Sequence, residues 1–207
     1  MSAHRPLAPI VMAIVAAFAL WYFAFQTEVW NFWVRLSLSV AFLALFALWQ
    51  TPERAALFRF GASDVLWGVL SALVLYMLFW LGKSVATALL PFASEQISSV
   101  YANKAQAELW LIGLLLVVVL GPGEEIFWRA LVQRRLCERF GGLTGWLVAT
   151  AIYALVHVWT LNLMLVGAAA VAGLLWGGLY LYRKNLVTVI VSHALWDLAI
   201  FVLWPLG

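Results

Sequence analysis

Seven long apolar runs leave this chain few ways to fold. A helix needs roughly 20 consecutive apolar residues to cross a bilayer. Runs of that kind lie at about 7–25, 30–49, 64–82, 107–132, 144–159, 162–181 and 187–205. Only 10% of the 207 residues are charged, against about a quarter in a soluble domain. The expected fold is all-α, a polytopic transmembrane bundle of seven spans, or eight if a half-length segment lies at 85–92 or around 51–62. One integral membrane domain should occupy 1–207, with a motif-bearing core at about 107–205.

The basic residues orient the spans. Arg5, Arg54, Arg59, Arg134, Arg135, Arg139, Arg183 and Lys184 fall on alternate connections, whereas Lys83 and Lys104 fall on the other set. Arg35 and Arg129 lie within spans. By the positive-inside rule the N-terminus is expected to be cytoplasmic and the C-terminus external, in a bacterial inner membrane. The same placement accounts for the net charge of +3 without a nucleic-acid partner. Ala17-Phe18-Ala19 resembles a signal-cleavage site, but apolar residues continue through Phe25, so an uncleaved first span is expected. The single Cys137 excludes an intrachain disulfide and reads as a thiol at a helix end. The connection from Lys83 to Glu108 is the longest and is most polar at Ser94–Ser99, which suggests an external loop with an amphipathic helix. The run of Gly and Ala between Gly167 and Gly178 suits close helix packing.

Charge inside these spans is concentrated. Gly121-Pro122-Gly123-Glu124-Glu125-Ile126-Phe127-Trp128-Arg129 follows a run, Leu109 to Leu120, that is apolar apart from Gly113. Charges at bilayer depth cost a few kcal/mol or more and usually serve a pathway or a reaction. Glu125 and Arg129 stand four apart with the acid first, the favourable order for a helical ion pair. Glu124 lies about 100° round the helix and needs another role. Gly121-Pro122-Gly123 is expected to break or kink the helix, leaving N–H groups that favour the carboxylates. Two further pairs, Tyr153-x-x-x-His157 and His193-x-x-x-Asp197, each lie one turn apart on a single helix face. An Asp in that position can fix the tautomer of its His.

Depth brings the three clusters together. Glu124 lies nine residues before Gln133, and His193 lies nine after Lys184, about 14 Å in from the cytoplasmic boundary at 1.5 Å per residue. Across the turn at Gly141, Glu124 is seventeen residues before and His157 sixteen after. The two should face each other to within a turn, with the fifth span shortened by Thr160-Leu161-Asn162. A shared site in the cytoplasmic half of the bilayer is expected. His4 is terminal and has no part in it.

Glu124-Glu125-x-x-x-Arg129, Tyr153-x-x-x-His157 and His193-x-x-x-Asp197, in that order, resemble the CPBP (ABI) family of intramembrane proteases, which includes the type II CAAX prenyl endopeptidases. Tyr153 stands where Phe is commoner, and Asp197 where the prenyl proteases have Asn. The resemblance implies that Glu124 and His157 activate water, that Glu125 and Arg129 support the site, and that His193 and Asp197 meet the tetrahedral intermediate. An ionised Asp197 cannot donate to an oxyanion, so it is expected to orient His193 instead.

These readings imply an intramembrane peptidase acting on a protein or peptide in or at the lipid bilayer, with no cofactor. A zinc-dependent variant would use Glu124, His157, His193 and Asp197 as ligands, although no His-Glu-x-x-His helix is present. Removal of a C-terminal sorting tag or a bacteriocin leader is an alternative within the proteases. Outside them stand a non-catalytic immunity or binding protein and a proton-relay transporter.

Overall fold

The computed structural model describes residues 8–206, so Arg5, His4 and the start of the first apolar run lie outside the described residues. Among the described residues, seven helices are long and apolar enough to cross a membrane: Ala8–Gln26, Phe32–Trp49, Ala62–Leu89, Leu109–Phe140, Gly142–Thr160, Leu163–Arg183 and Leu186–Leu203. No strand occurs among the described residues. Helices satisfy their own backbone, the condition lipid imposes on any spanning segment.

No eighth span forms. Residues 85–89 prolong the third helix, and the stretch around 51–62 holds only the single turn Arg54–Leu57. The long connection carries the expected helix, Ala93–Ala102, followed by a 3-10 turn at Asn103–Gln106. The fifth span does end early. It tightens to 3-10 winding over Val156–Thr160 and stops at Leu161, whose φ is +52°.

The fourth span runs unbroken through Gly121-Pro122-Gly123, so the break that was one of the two expectations there does not occur. The helix widens to π-winding over Leu116–Leu120, returns to α over Gly121–Glu125, and widens again over Ile126–Gln133. A π-turn absorbs the bond that proline cannot donate, so the chain continues without exposing an N-terminal set of amides. The flanking glycines serve close packing. A Cβ on Gly121 would sit 3.2 Å from the backbone of Ala194, and one on Gly123 would sit 2.5 Å from Val40 Cγ1. The seventh span therefore lies against the glutamate turn on one side and the second span on the other. In the sixth span, Gly173 and Gly177 meet Thr150, Tyr153 and Trp146 of the fifth, as a small-residue stripe should.

The two ends of the bundle differ. At one end Arg183 pairs with Asp64 at 2.7 Å, Asn185 donates to the Arg59 carbonyl at 2.7 Å, and Arg134 lies 3.7 Å from Glu53. At the other, Phe32 N–H donates to Gln106 Oε1 at 2.9 Å, and Trp33 Nε1 donates to the Asn103 carbonyl at 2.9 Å. There too Asn162 Nδ2 donates to the Gln96 carbonyl at 2.6 Å. The Leu206 amide donates to the Tyr101 hydroxyl at 3.1 Å, and burial pushes that phenol above its ordinary range despite the bond. Arg35, a turn inside the second span, is buried and satisfies the carbonyls of Ala24, Val29 and Trp30.

Candidate active site

A cavity of about 790 Å³ runs into the bundle, and Glu124, Tyr153, His157, His193 and Asp197 all line it. Its other walls are mainly apolar and aromatic, including Trp21, Phe25, Phe32, Trp33, Phe79, Trp176, Trp196 and Phe201. Residues from three spans, separated by up to seventy-three positions, therefore share one space.

Glu124 and Glu125 point different ways, as a 100° step requires. Glu125 is fully buried, and its Oε2 receives Arg129 Nε at 2.9 Å. The ion pair expected from the i,i+4 spacing is present. Glu125 Oε1 lies 2.9 Å from His193 Nδ1. A carboxylate accepts, so Nδ1 carries the proton. Nε2 is left toward Asp197, whose Oδ2 is 3.5 Å away. Asp197 was expected to orient His193. Glu125 makes the shorter contact, and Asp197 sits beyond ordinary N–H···O length. Sequence spacing favoured Asp197 because it is local to His193, whereas Glu125 is sixty-eight residues away. Trp176 stacks on the His193 ring with centroids 3.7 Å apart, and its Nε1 is tied to Ser192 Oγ at 3.1 Å.

Glu124 is half-buried and reaches the cavity. The Tyr153 hydroxyl donates to its Oε2 at 3.0 Å. Across the Gly141 turn Glu124 is bonded to Tyr153, one turn before His157, and both Glu124 and His157 line the cavity. Tyr153 also meets Arg129, whose Cζ lies 5.1 Å from its ring centroid. Through its carbonyl it meets His157 Nδ1 at 2.9 Å. That carbonyl only accepts, so His157 carries its proton on Nδ1 and presents the Nε2 lone pair. Trp21 Nε1 approaches this nitrogen at 3.4 Å, and the Phe25 ring packs alongside. Trp21 and Trp176 went unnoticed in the sequence. Trp21 lies 136 residues from His157, and thirteen tryptophans in an apolar chain offer no local signal.

The four proposed zinc donors do not form a metal-holding group. Among the described residues no three His, Cys, Asp or Glu side chains gather to hold an ion. The Nδ1 bonds of His193 to Glu125 and of His157 to a carbonyl leave Nε2 of each ring as its remaining ligand atom. Cys137 lies at the opposite, basic end of the bundle, where it contacts the Gly142 carbonyl.

Residues 106–199 match the family of type II CAAX prenyl endopeptidase Rce1-like proteins. The matched stretch contains all three motifs. No curated protein and no solved structure matches the chain.

Proposed function

We propose, from the match of residues 106–199 to the Rce1-like type II CAAX prenyl endopeptidase family, that this integral membrane protein is a peptidase that cleaves its substrate with water activated by Glu124. The carrying observation is the contrast between the adjacent glutamates. Glu125 is spent on Arg129 and His193, while Glu124 faces the cavity with only Oε2 engaged. A carboxylate with a free oxygen in a cleft is the group available as a general base.

In this reading Glu124 takes a proton from water as the oxygen attacks the peptide carbonyl carbon. His157, whose Nε2 lone pair accepts only the long 3.4 Å bond from Trp21 Nε1, shares the handling of that proton once that bond gives way. In its doubly protonated form His193 donates from Nε2 to the developing oxyanion, with Glu125 and the Trp176 ring fixing its plane. Glu124 then returns the proton to the departing amine, leaving a carboxylic acid and an amine. The substrate is a peptide at or in the bilayer. The apolar, aromatic walls suit an apolar segment beside the scissile bond, whether that segment belongs to a lipid-modified tail, a sorting tag or a leader.

The test is mass spectrometry of candidate membrane peptides incubated with purified wild type and Glu124→Gln. General-base catalysis contributes about 10²–10⁴-fold, so cleavage should fall by about that factor while the melting temperature is held. Near-wild-type turnover in the Gln variant would remove Glu124 from the water-activating role. Dialysis against a strong chelator should leave wild-type turnover intact. Activity lost to the chelator and restored by Zn²⁺ would replace glutamate catalysis with a metal mechanism.

A further inference from the structure

We infer that Trp21 of the first span holds His157 out of use until a peptide enters, and that a backbone carbonyl of that peptide releases it. The inference rests on the peptidase reading above. It adds a substrate contact from a helix, Ala8–Gln26, that lies outside the matched residues 106–199.

The two nitrogens of His157 are held unequally. Nδ1 donates to the Tyr153 carbonyl at 2.9 Å, and the Thr160 hydroxyl donates to the His157 carbonyl at 2.7 Å. The backbone and one ring edge are therefore fixed from within the fifth span. Nε2 accepts from Trp21 Nε1 at 3.4 Å, longer than the usual N–H bond of about 2.7–3.2 Å. A lone pair engaged with an N–H cannot take a proton from water at the same time. When the two rings separate, the tighter bonds keep His157 in place, and Trp21 is the partner that moves.

Separation leaves Trp21 in need of an acceptor. Its side chain is 1% exposed, and its N–H has no acceptor except His157 among the described residues. An indole offers one donor and no acceptor, and a buried donor without a partner is disfavoured. That keeps the contact closed while no peptide is bound. Trp21 and His157 both line the cavity, and a peptide there brings a carbonyl with every residue. A carbonyl that reaches Nε1 replaces His157 as acceptor, so one hydrogen bond is exchanged for another and the Nε2 lone pair is freed. The helix itself stays docked, because the Tyr22 ring meets Trp159 edge-on at 5.2 Å and Gln26 Nε2 donates to the Trp159 carbonyl. Only the indole has to turn.

Trp21→Phe keeps a ring and removes the donor. Diethyl pyrocarbonate acylates a neutral imidazole at a free lone pair, and mass spectrometry of one digest reads His157 and His193 together. Without substrate, His157 of the Phe variant should be modified at least about threefold faster than in wild type, with His193 unchanged. On a cleaved peptide, KM should rise about two- to tenfold, the worth of one neutral hydrogen bond, while kcat stays at or above that of wild type. A merely structural tryptophan would lower the melting temperature and kcat instead. If the Phe variant melts early, 3-benzothienylalanine at position 21 keeps the bicyclic ring without the N–H and carries the same expectations. Equal modification of His157 with and without the donor, none in either chain included, overturns the inference. So does a fall in kcat at unchanged KM. Modification needs no turnover, so faster labelling of the variant in a protein that cleaves nothing would defeat the peptidase reading and leave the hold on His157 standing. Equal labelling in a protein that cleaves would do the reverse.

Discussion

Glu124 and Glu125 are covalent neighbours placed in two different regions of the molecule. Glu125 belongs to a packed polar layer, bonded to Arg129 and His193 without access to solvent, with Arg129 in turn over the Tyr153 ring. Glu124 belongs to the cavity, where one phenol holds it and the remaining oxygen is free. The difference teaches that identity does not assign a role inside a membrane. One step along a helix separates a carboxylate that holds the site together from one that can take a proton.

The comparison breaks most severely at Arg129. Arg129→Leu should leave Glu125 as an uncompensated buried charge and cost about 3–5 kcal/mol of stability, read as a lowered melting temperature in detergent. Glu125→Gln in the same chain should restore much of it. A single variant as stable as wild type would show that the layer around Glu125 is not held by this pair.

A smaller loss is expected at the seam between the two regions. Gly121→Ala introduces a Cβ 3.1–3.2 Å from the Leu116 carbonyl and the Ala194 backbone, and overpacking of this kind costs about 1–3 kcal/mol. Because Ala194 adjoins His193, turnover should fall further than stability does. Unchanged kinetics would mean that His193 tolerates a shift of the seventh span.

Tyr153→Phe then isolates the cavity side. It removes the bond to Glu124 but keeps the ring under Arg129 and the carbonyl that holds His157. A hydrogen bond to a charged group contributes about 1.5–3 kcal/mol, so kcat should drop roughly tenfold or more with KM little altered. A Phe variant that turns over like wild type would show that Glu124 needs no fixing.

The smallest effect is expected at Asp197. Its contact with His193 is 3.5 Å, beyond usual hydrogen-bond length, so Asp197→Asn should change kcat by about twofold or less. Glu125→Gln, which weakens the bond that fixes the Nδ1 proton, should cost more. If Asp197→Asn proves the more damaging of the two, the orienting role returns to Asp197.

Local spacing carried most of what was readable in the chain. The spans were legible because hydropathy is summed over twenty residues, and the Glu125–Arg129 pair because i,i+4 neighbours face each other on any α-helix. Contacts set by packing between spans were not. His193 finds its nearest acid on another helix, and His157 is approached by a tryptophan of the first span. Pro122 misled in a different way. Its missing donor predicts disruption, but whether a helix breaks or widens depends on neighbours, here Ala194 and Val40, that no local pattern reveals.

The widened turn over Leu116–Leu120 also sets the phase of everything after it. A π-turn holds one residue more than an α-turn, so the helix face presented by residue n upstream passes to residue n+1 beyond it. Removing Val118 alone, with the wide turn retained, would rotate the downstream half of the span by about 100°. Relative to Trp110 and the outer half of the helix, Glu125 would then take the bearing that Glu124 has now. A deletion of one residue in an apolar stretch, silent by hydropathy, would put the structural acid where the reactive one stands and carry the reactive one out of the site.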